Sequence, residues 1–183
     1  MNRSFLLIFA LLIMVAMPHN VFADDEEPDV KDLKTLERIF VGGSLGLQFG
    51  TITVVNISPI VGYRITNRLS AGIGGTYQYY NDRSFGQSFS TNMYGGNVFA
   101  RFLVIPQAFI HAEAERLSLE SFRFDPGSDR TRVWEENYFL GAGYRARLGA
   151  KTYFNIMMLY NFNPDSQVYY QNPIFRFGID VGL

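Results

Sequence analysis

Phe175-Arg176-Phe177-Gly178-Ile179-Asp180-Val181-Gly182-Leu183 alternates without a break: Phe, Phe, Ile, Val and Leu fall on one parity, and Arg, Gly, Asp and Gly on the other. A period of two puts the first set on one face of a β-strand and the second on the opposite face. The same pattern runs back through the chain. Ile39, Val41, Leu45 and Leu47 oppose Gly42, Ser44 and Gly46; Val55, Ile57, Val61 and Tyr63 oppose Asn56, Ser58, Gly62 and Arg64; Leu69, Ala71, Ile73, Tyr77 and Tyr79 oppose Ser70, Gly72, Gly74, Thr76 and Gln78. Further on, Tyr94, Val98, Ala100 and Phe102 oppose Gly95, Asn97 and Arg101; Ile110, Ala112 and Ala114 oppose His111, Glu113 and Glu115; Tyr138, Leu140, Ala142 and Tyr144 oppose Gly141, Gly143, Arg145 and Arg147; Phe154, Ile156, Met158 and Tyr160 oppose Asn155 and Asn161. Eight strands are predicted, each long enough for the ~9–11 residues of a tilted membrane-spanning strand.

The links between them alternate. Short turns are predicted at 66–68, 105–107 and 149–151, and longer polar links at 81–91, 120–136 and 163–172; the first link, near 50–54, is brief. Short turns on one rim and long loops on the other suit a transmembrane barrel. Apolar parity is kept across each short turn, as an antiparallel ladder requires.

Alternation alone does not say which face is inside. A soluble lipocalin-like barrel would be apolar inside and polar outside. Three features favour the inverted arrangement. A water-facing strand surface is normally rich in Lys and Glu, yet Lys151 is the only lysine after residue 38. Eleven of the seventeen glycines lie on the polar parity, where they relieve crowding in a narrow lumen. The bulky aromatics Tyr77, Tyr79, Tyr94, Tyr138, Tyr160 and Phe162 cluster toward the long-link rim, as an interfacial girdle would. The expected fold is therefore all-β, an eight-stranded antiparallel transmembrane β-barrel over 39–183, with short periplasmic turns and longer extracellular loops.

The N-terminus reads as a targeting segment. Arg3 precedes the uncharged apolar run Phe5–Met17, a break at Pro18-His19-Asn20, and Val21-Phe22-Ala23. That is the layout of a secretory signal peptide over 1–23, too short for the ~20 residues of a spanning helix. Residues 24–38 carry seven acids and three bases, and are expected to form an acidic periplasmic lead-in, helical or disordered. The chain has no cysteine, which excludes disulfides, thiolate metal sites and cysteine nucleophiles. Net charge is −1, so nothing points to nucleic acid.

Tyr63-Arg64-Ile65-Thr66-Asn67-Arg68-Leu69-Ser70-Ala71-Gly72-Ile73-Gly74-Gly75-Thr76-Tyr77 resembles the strand–turn–strand signature of small outer-membrane β-barrel proteins, the opacity-protein, OmpX and OmpA transmembrane-domain group. Residues 174–183 resemble the C-terminal signal that the outer-membrane insertion machinery reads, although that signal usually ends in Phe and this chain has Leu183. The resemblance implies an outer-membrane location, contact with outer-membrane lipid and lipopolysaccharide, and a structural or surface-binding, adhesin-like role. The alternatives are a narrow pore for small solutes and, further off, an outer-membrane lipid-modifying enzyme. A monomer without cofactor or metal is expected.

Two groups of residues are candidates for a site. On this register Arg64, Arg101, His111, Glu113, Glu115, Arg145, Arg147, Arg176 and Asp180 point into the lumen. Unpaired charge there is costly, so a structural network of Arg101, Glu113, Glu115 and Arg145 is expected, with Arg101 facing His111 across the 105–107 turn. His111 with Glu113 and Glu115 could instead be an acid–base or metal set. One histidine and two alternate carboxylates are a weak signal for that, and no Gly-x-Ser-x-Gly is present. In the 120–136 link, Phe122, Arg123, Phe124, Arg130, Arg132 and Trp134 are residue types favoured at binding hot spots. An extracellular ligand is expected to meet them there, while Asp125-Pro126-Gly127-Ser128-Asp129 reads as a tight turn rather than a calcium loop.

Overall fold

The computed structural model describes residues 28–48, 52–82, 89–120, 132–163 and 172–183. The expected signal segment over 1–23 lies outside them, as do residues 24–27 of the acidic lead-in. Eight strands follow one another: β1 (Ile39–Gln48), β2 (Ile52–Arg64), β3 (Leu69–Asp82), β4 (Phe89–Ile105), β5 (Ala108–Glu120), β6 (Arg132–Arg147), β7 (Thr152–Asn161) and β8 (Ile174–Gly182). Each pairs antiparallel with the next, and β8 returns to β1, closing an eight-stranded barrel. Closure leaves no free sheet edge.

The short turns have local causes. At 65–68 the Thr66 hydroxyl accepts the backbone N–H of Arg68 and Leu69 at 3.2 and 2.9 Å, holding β2 against β3. Only Pro106 and Gln107 separate β4 from β5. These turns, the start of β1, the end of β8 and a 3₁₀ turn at Thr35–Arg38 share one rim. The lead-in is thus neither a regular α-helix nor shapeless over its described part. Val30 is buried at the barrel mouth, and its N–H donates to Asn67 Oδ1 at 2.7 Å.

The faces sort as the alternation predicts. Ile57, Val61, Ile73, Val98, Phe102, Leu140, Ile156, Phe177 and Ile179 are exposed on the outside, among many more large apolar side chains. Leaving such a side chain in water rather than burying it forgoes roughly 1.5–3 kcal/mol. So many on one continuous outer wall form an apolar patch of a kind that soluble monomers rarely expose to water. That surface belongs in lipid, and its strands cross a membrane.

The interior corrects one expectation. The polar parity is not lined by Gly, Ser, Asn and Arg alone. Phe40, Phe99 and Phe109 point inward, each opposite a glycine of the neighbouring strand: Phe40 with Gly62, Phe99 with Gly72, Phe109 with Gly143. A Cβ at any of these glycines would strike the facing ring. Two buried apolar clusters complete the filling. One comprises Phe109, Leu117, Phe139, Met157 and Leu159, and the other Val54, Tyr80, Met93 and Leu119 toward the long-link rim.

Candidate functional site

The lumen charges form one chain of contacts across the barrel. Arg101 on β4 pairs with Asp180 on β8, whose Oδ2 also accepts Asn155 Nδ2 at 2.8 Å. Arg101 Nε donates to His111 Nδ1 at 3.3 Å, and His111 Nε2 stands 3.0 Å from Glu113 Oε2. Arg176 Nη1, on β8, donates to both Glu113 oxygens at 2.9 and 2.8 Å. Since His111 Nδ1 accepts from an arginine that cannot act otherwise, Nε2 must be the donor, and the ring is the neutral Nε2–H tautomer. All six side chains are buried. Aromatic faces complete the setting: the Arg101 guanidinium lies 5.2 and 5.3 Å from the Phe99 and Phe109 centroids, Arg176 lies 4.9 Å from Phe139, and Phe99 stacks on His111 at 5.7 Å.

The pairing differs from the expected one. Arg101 does face His111 in register, but its carboxylate is Asp180, and the arginine of Glu113 is Arg176. Arg145 lies elsewhere. Glu113 is paired with Phe139 on β6, six residues from Arg145, about 20 Å at ~3.3 Å per residue. Arg145 Nε instead donates to the Pro106 carbonyl at 2.6 Å, and Arg147 donates to the carbonyls of Gly149 and Ala150 at 3.1 and 3.2 Å. Both arginines brace the short-turn rim. Glu115 is buried in the lumen wall beside Asn97 and Asn137 in register. Among the described residues no group of three or more His, Cys, Asp or Glu is placed to hold a metal.

Of the loop candidates, Phe122, Arg123, Phe124 and Arg130 lie outside the described residues. Arg132 and Trp134 belong to β6 rather than to a loop. They sit on the outer face at the long-link rim, in a patch that sequence reasoning drew too narrowly. Arg132 covers the Tyr94 ring at 4.4 Å and donates to Ser118 Oγ at 3.1 Å, while Arg116 covers the Trp134 ring at 5.3 Å. Arg116 carried a readable signal, being the only arginine on the apolar parity of β5. Nearby, Tyr77 donates to Asn92 Oδ1 at 2.9 Å and Tyr160 meets Phe162 edge-on at 5.1 Å. Tyr77, Tyr94, Trp134 and Tyr160 carry amphipathic rings of the kind found at a membrane–water boundary.

Solved membrane barrels are similar to this chain. The N-terminal β-barrel domain of Pseudomonas aeruginosa OprF matches at 13% identity and a TM-score of 0.47, over 79% of this chain and 96% of that one. A de novo designed transmembrane β-barrel matches at 15% identity and 0.41, over 79% and 94%. The NanC porin matches at 14% and 0.34, over 79% and 78%. No family model and no curated protein matches the chain.

Proposed function

We propose that the protein is an integral outer-membrane barrel of the opacity-protein, OmpX and OmpA transmembrane-domain kind, and that it acts as a binding surface on its long-link rim rather than as a conduit. One observation carries this reading: the lumen cross-section is occupied by side chains. The Arg101–Asp180 and Arg176–Glu113 pairs span its middle, and the Val54, Tyr80, Met93 and Leu119 cluster fills the long-link end. Eight strands leave an interior that side chains can just fill. With the walls committed to lipid and to lumen packing, the long links are the surface left for recognition. The Arg132, Tyr94, Arg116 and Trp134 patch borders the 121–131 link and supplies the cationic and aromatic groups that favour a protein, a surface polysaccharide or the phosphates of lipopolysaccharide.

The reading is non-enzymatic. Both ring nitrogens of His111 are engaged, so the imidazole is placed to hold the network together. The test is replacement of 121–131 by a short Gly-Ser link, which leaves β5 and β6 whole. The variant should insert and fold like the parent and lose binding to cells, matrix or lipopolysaccharide. Parent-like behaviour in all these assays would leave a purely structural envelope role.

A further inference from the structure

Arg116 is a cation on the lipid-facing wall. It shares the outward parity of β5 with Ile110, Ala112 and Ala114, and it is exposed. A charge on that face is costly deep in the hydrocarbon and much less so toward the boundary. Arg116 stands opposite Gly96 and Glu136, one outward position nearer the middle of the wall than Trp134, which faces Ser118. Its guanidinium reaches back toward the rim and covers the Trp134 ring at 5.3 Å. A long cationic side chain does this when its stem stays in apolar surroundings and its head seeks the boundary.

No carboxylate of the described residues pairs with Arg116. Glu136, across from it on β6, accepts the Tyr138 hydroxyl at 3.0 Å instead. Arg101 and Arg176 differ, because the chain supplies each with an acid.

The wall beside Arg116 is low. Gly75 and Gly96 are cross-strand partners that face outward. A Cβ at Gly75 would meet nothing nearer than 3.9 Å, and one at Gly96 only the Gly74 carbonyl at 3.3 Å. Unlike Gly62, Gly72 and Gly143, these glycines make room for no ring of this chain. Gly96, Val98, Ala114 and Tyr138 border a hollow of about 470 Å³ next to Arg116 and Glu136. A hollow on a lipid-facing wall, with a cation at its rim end, fits a molecule that has both an acyl chain and an anionic head. The planar fork of an arginine matches a phosphate through paired, charge-assisted hydrogen bonds. A soluble anion would leave the hollow unused, and a soluble protein would have to enter the bilayer to fill it.

We propose that Arg116, held over Trp134, seats the phosphate of a membrane lipid in the leaflet on the long-link side, with the acyl chain lying along Gly96, Val98 and Ala114. The proposal rests on the reading of this rim as a binding surface and names one ligand for it.

The experiment returns the purified, delipidated protein to phosphatidylcholine vesicles carrying rising fractions of phosphatidic acid. It follows the fluorescence of Trp134, the only tryptophan. A saturable change is expected, and inorganic phosphate added to plain phosphatidylcholine vesicles should not reproduce it. R116Q should raise the fraction needed at least about tenfold. R116K, which keeps the charge but loses the fork, should fall between, and it serves if R116Q fails to show heat-modifiable mobility. Glu136→Gln removes an opposing carboxylate and should tighten binding, whereas R68Q on the short-turn rim should leave it unchanged. Native mass spectrometry of the same variants counts retained phosphatidic acid, which separates binding from any direct effect of Arg116 on the indole. Replacing 121–131 keeps β5 and β6 and should keep the lipid; its parent-like binding to cells and matrix would count against the wider rim reading, while the Arg116 variants alone decide the lipid seat. No saturable change, equal affinity in the parent and R116Q, or the same response to inorganic phosphate would each overturn it.

Discussion

The ring of Phe40 lies over Gly62, its cross-strand partner, and fills the space a side chain there would need. Phe99 does the same over Gly72, and the Phe40 and Phe99 rings then meet at 6.5 Å across the two glycines. Gly62→Ala should therefore overpack the lumen and cost about 1–3 kcal/mol, read as a lower urea midpoint in detergent. Adding Phe40→Leu should recover part of the loss, because only Phe40 atoms crowd that position most closely. A single variant as stable as the parent would show that the ring can move aside freely.

Glu113→Ala leaves Arg176 buried without its carboxylate and His111 without its acceptor. Breaking a buried pair from one side costs about 3–5 kcal/mol. The variant should melt earlier and lose heat-modifiable mobility at a lower temperature. The double variant Glu113→Leu/Arg176→Met should regain much of that stability, since an apolar pair of similar volume removes both desolvation penalties. Unchanged unfolding in Glu113→Ala would mean that the pair contributes nothing net.

Trp134 is the only tryptophan and is 58% exposed on the outer wall. In lipid vesicles its fluorescence should be quenched strongly by lipids brominated near the headgroup and weakly by aqueous iodide. Strong iodide quenching with no effect of brominated lipid would place that face in water and undo the lipid-facing assignment.

Purified protein in planar bilayers should show no large, steady openings, because the two ion pairs and the apolar cluster at the long-link end lie across the path. Replacing Val54, Met93 and Leu119 together by Ala should make openings more frequent if that cluster is the tighter barrier. Steady conductance in the parent would favour a narrow pore.

Much of this was legible in the chain. The period of two from Ile39 to the end of β8, the three short turns and the pairing of Arg101 with His111 all follow from parity and turn arithmetic, because neighbouring strands are tied by local geometry. The two ion pairs were not legible. Arg101–Asp180 and Glu113–Arg176 join strands that meet only across the lumen, so their partners depend on barrel tilt and closure rather than on any adjacent register. The inward phenylalanines were missed because an aromatic on the polar parity looks like noise in a hydropathy pattern. Their signal was the run of glycines on the same face: Gly62, Gly72 and Gly143 leave volume that something large must occupy. Arg132 and Trp134 were placed in a loop because β5 and β6 outlast the apolar alternation that marked their ends.

The counter-ions of Arg101 and Glu113 reside on one strand. Asp180 neutralises Arg101 and Arg176 neutralises Glu113, and β8 is also the strand that seals the ring against β1. Seven strands assembled without it would hold a bare cation, a bare carboxylate and an open seam together. Ring closure and charge neutralisation are therefore a single event, delivered by the last strand of the barrel. A barrel built this way has little reason to commit to its final shape before that strand docks, and a β8 lesion should stall it as an open, charged intermediate rather than as a slightly loosened barrel.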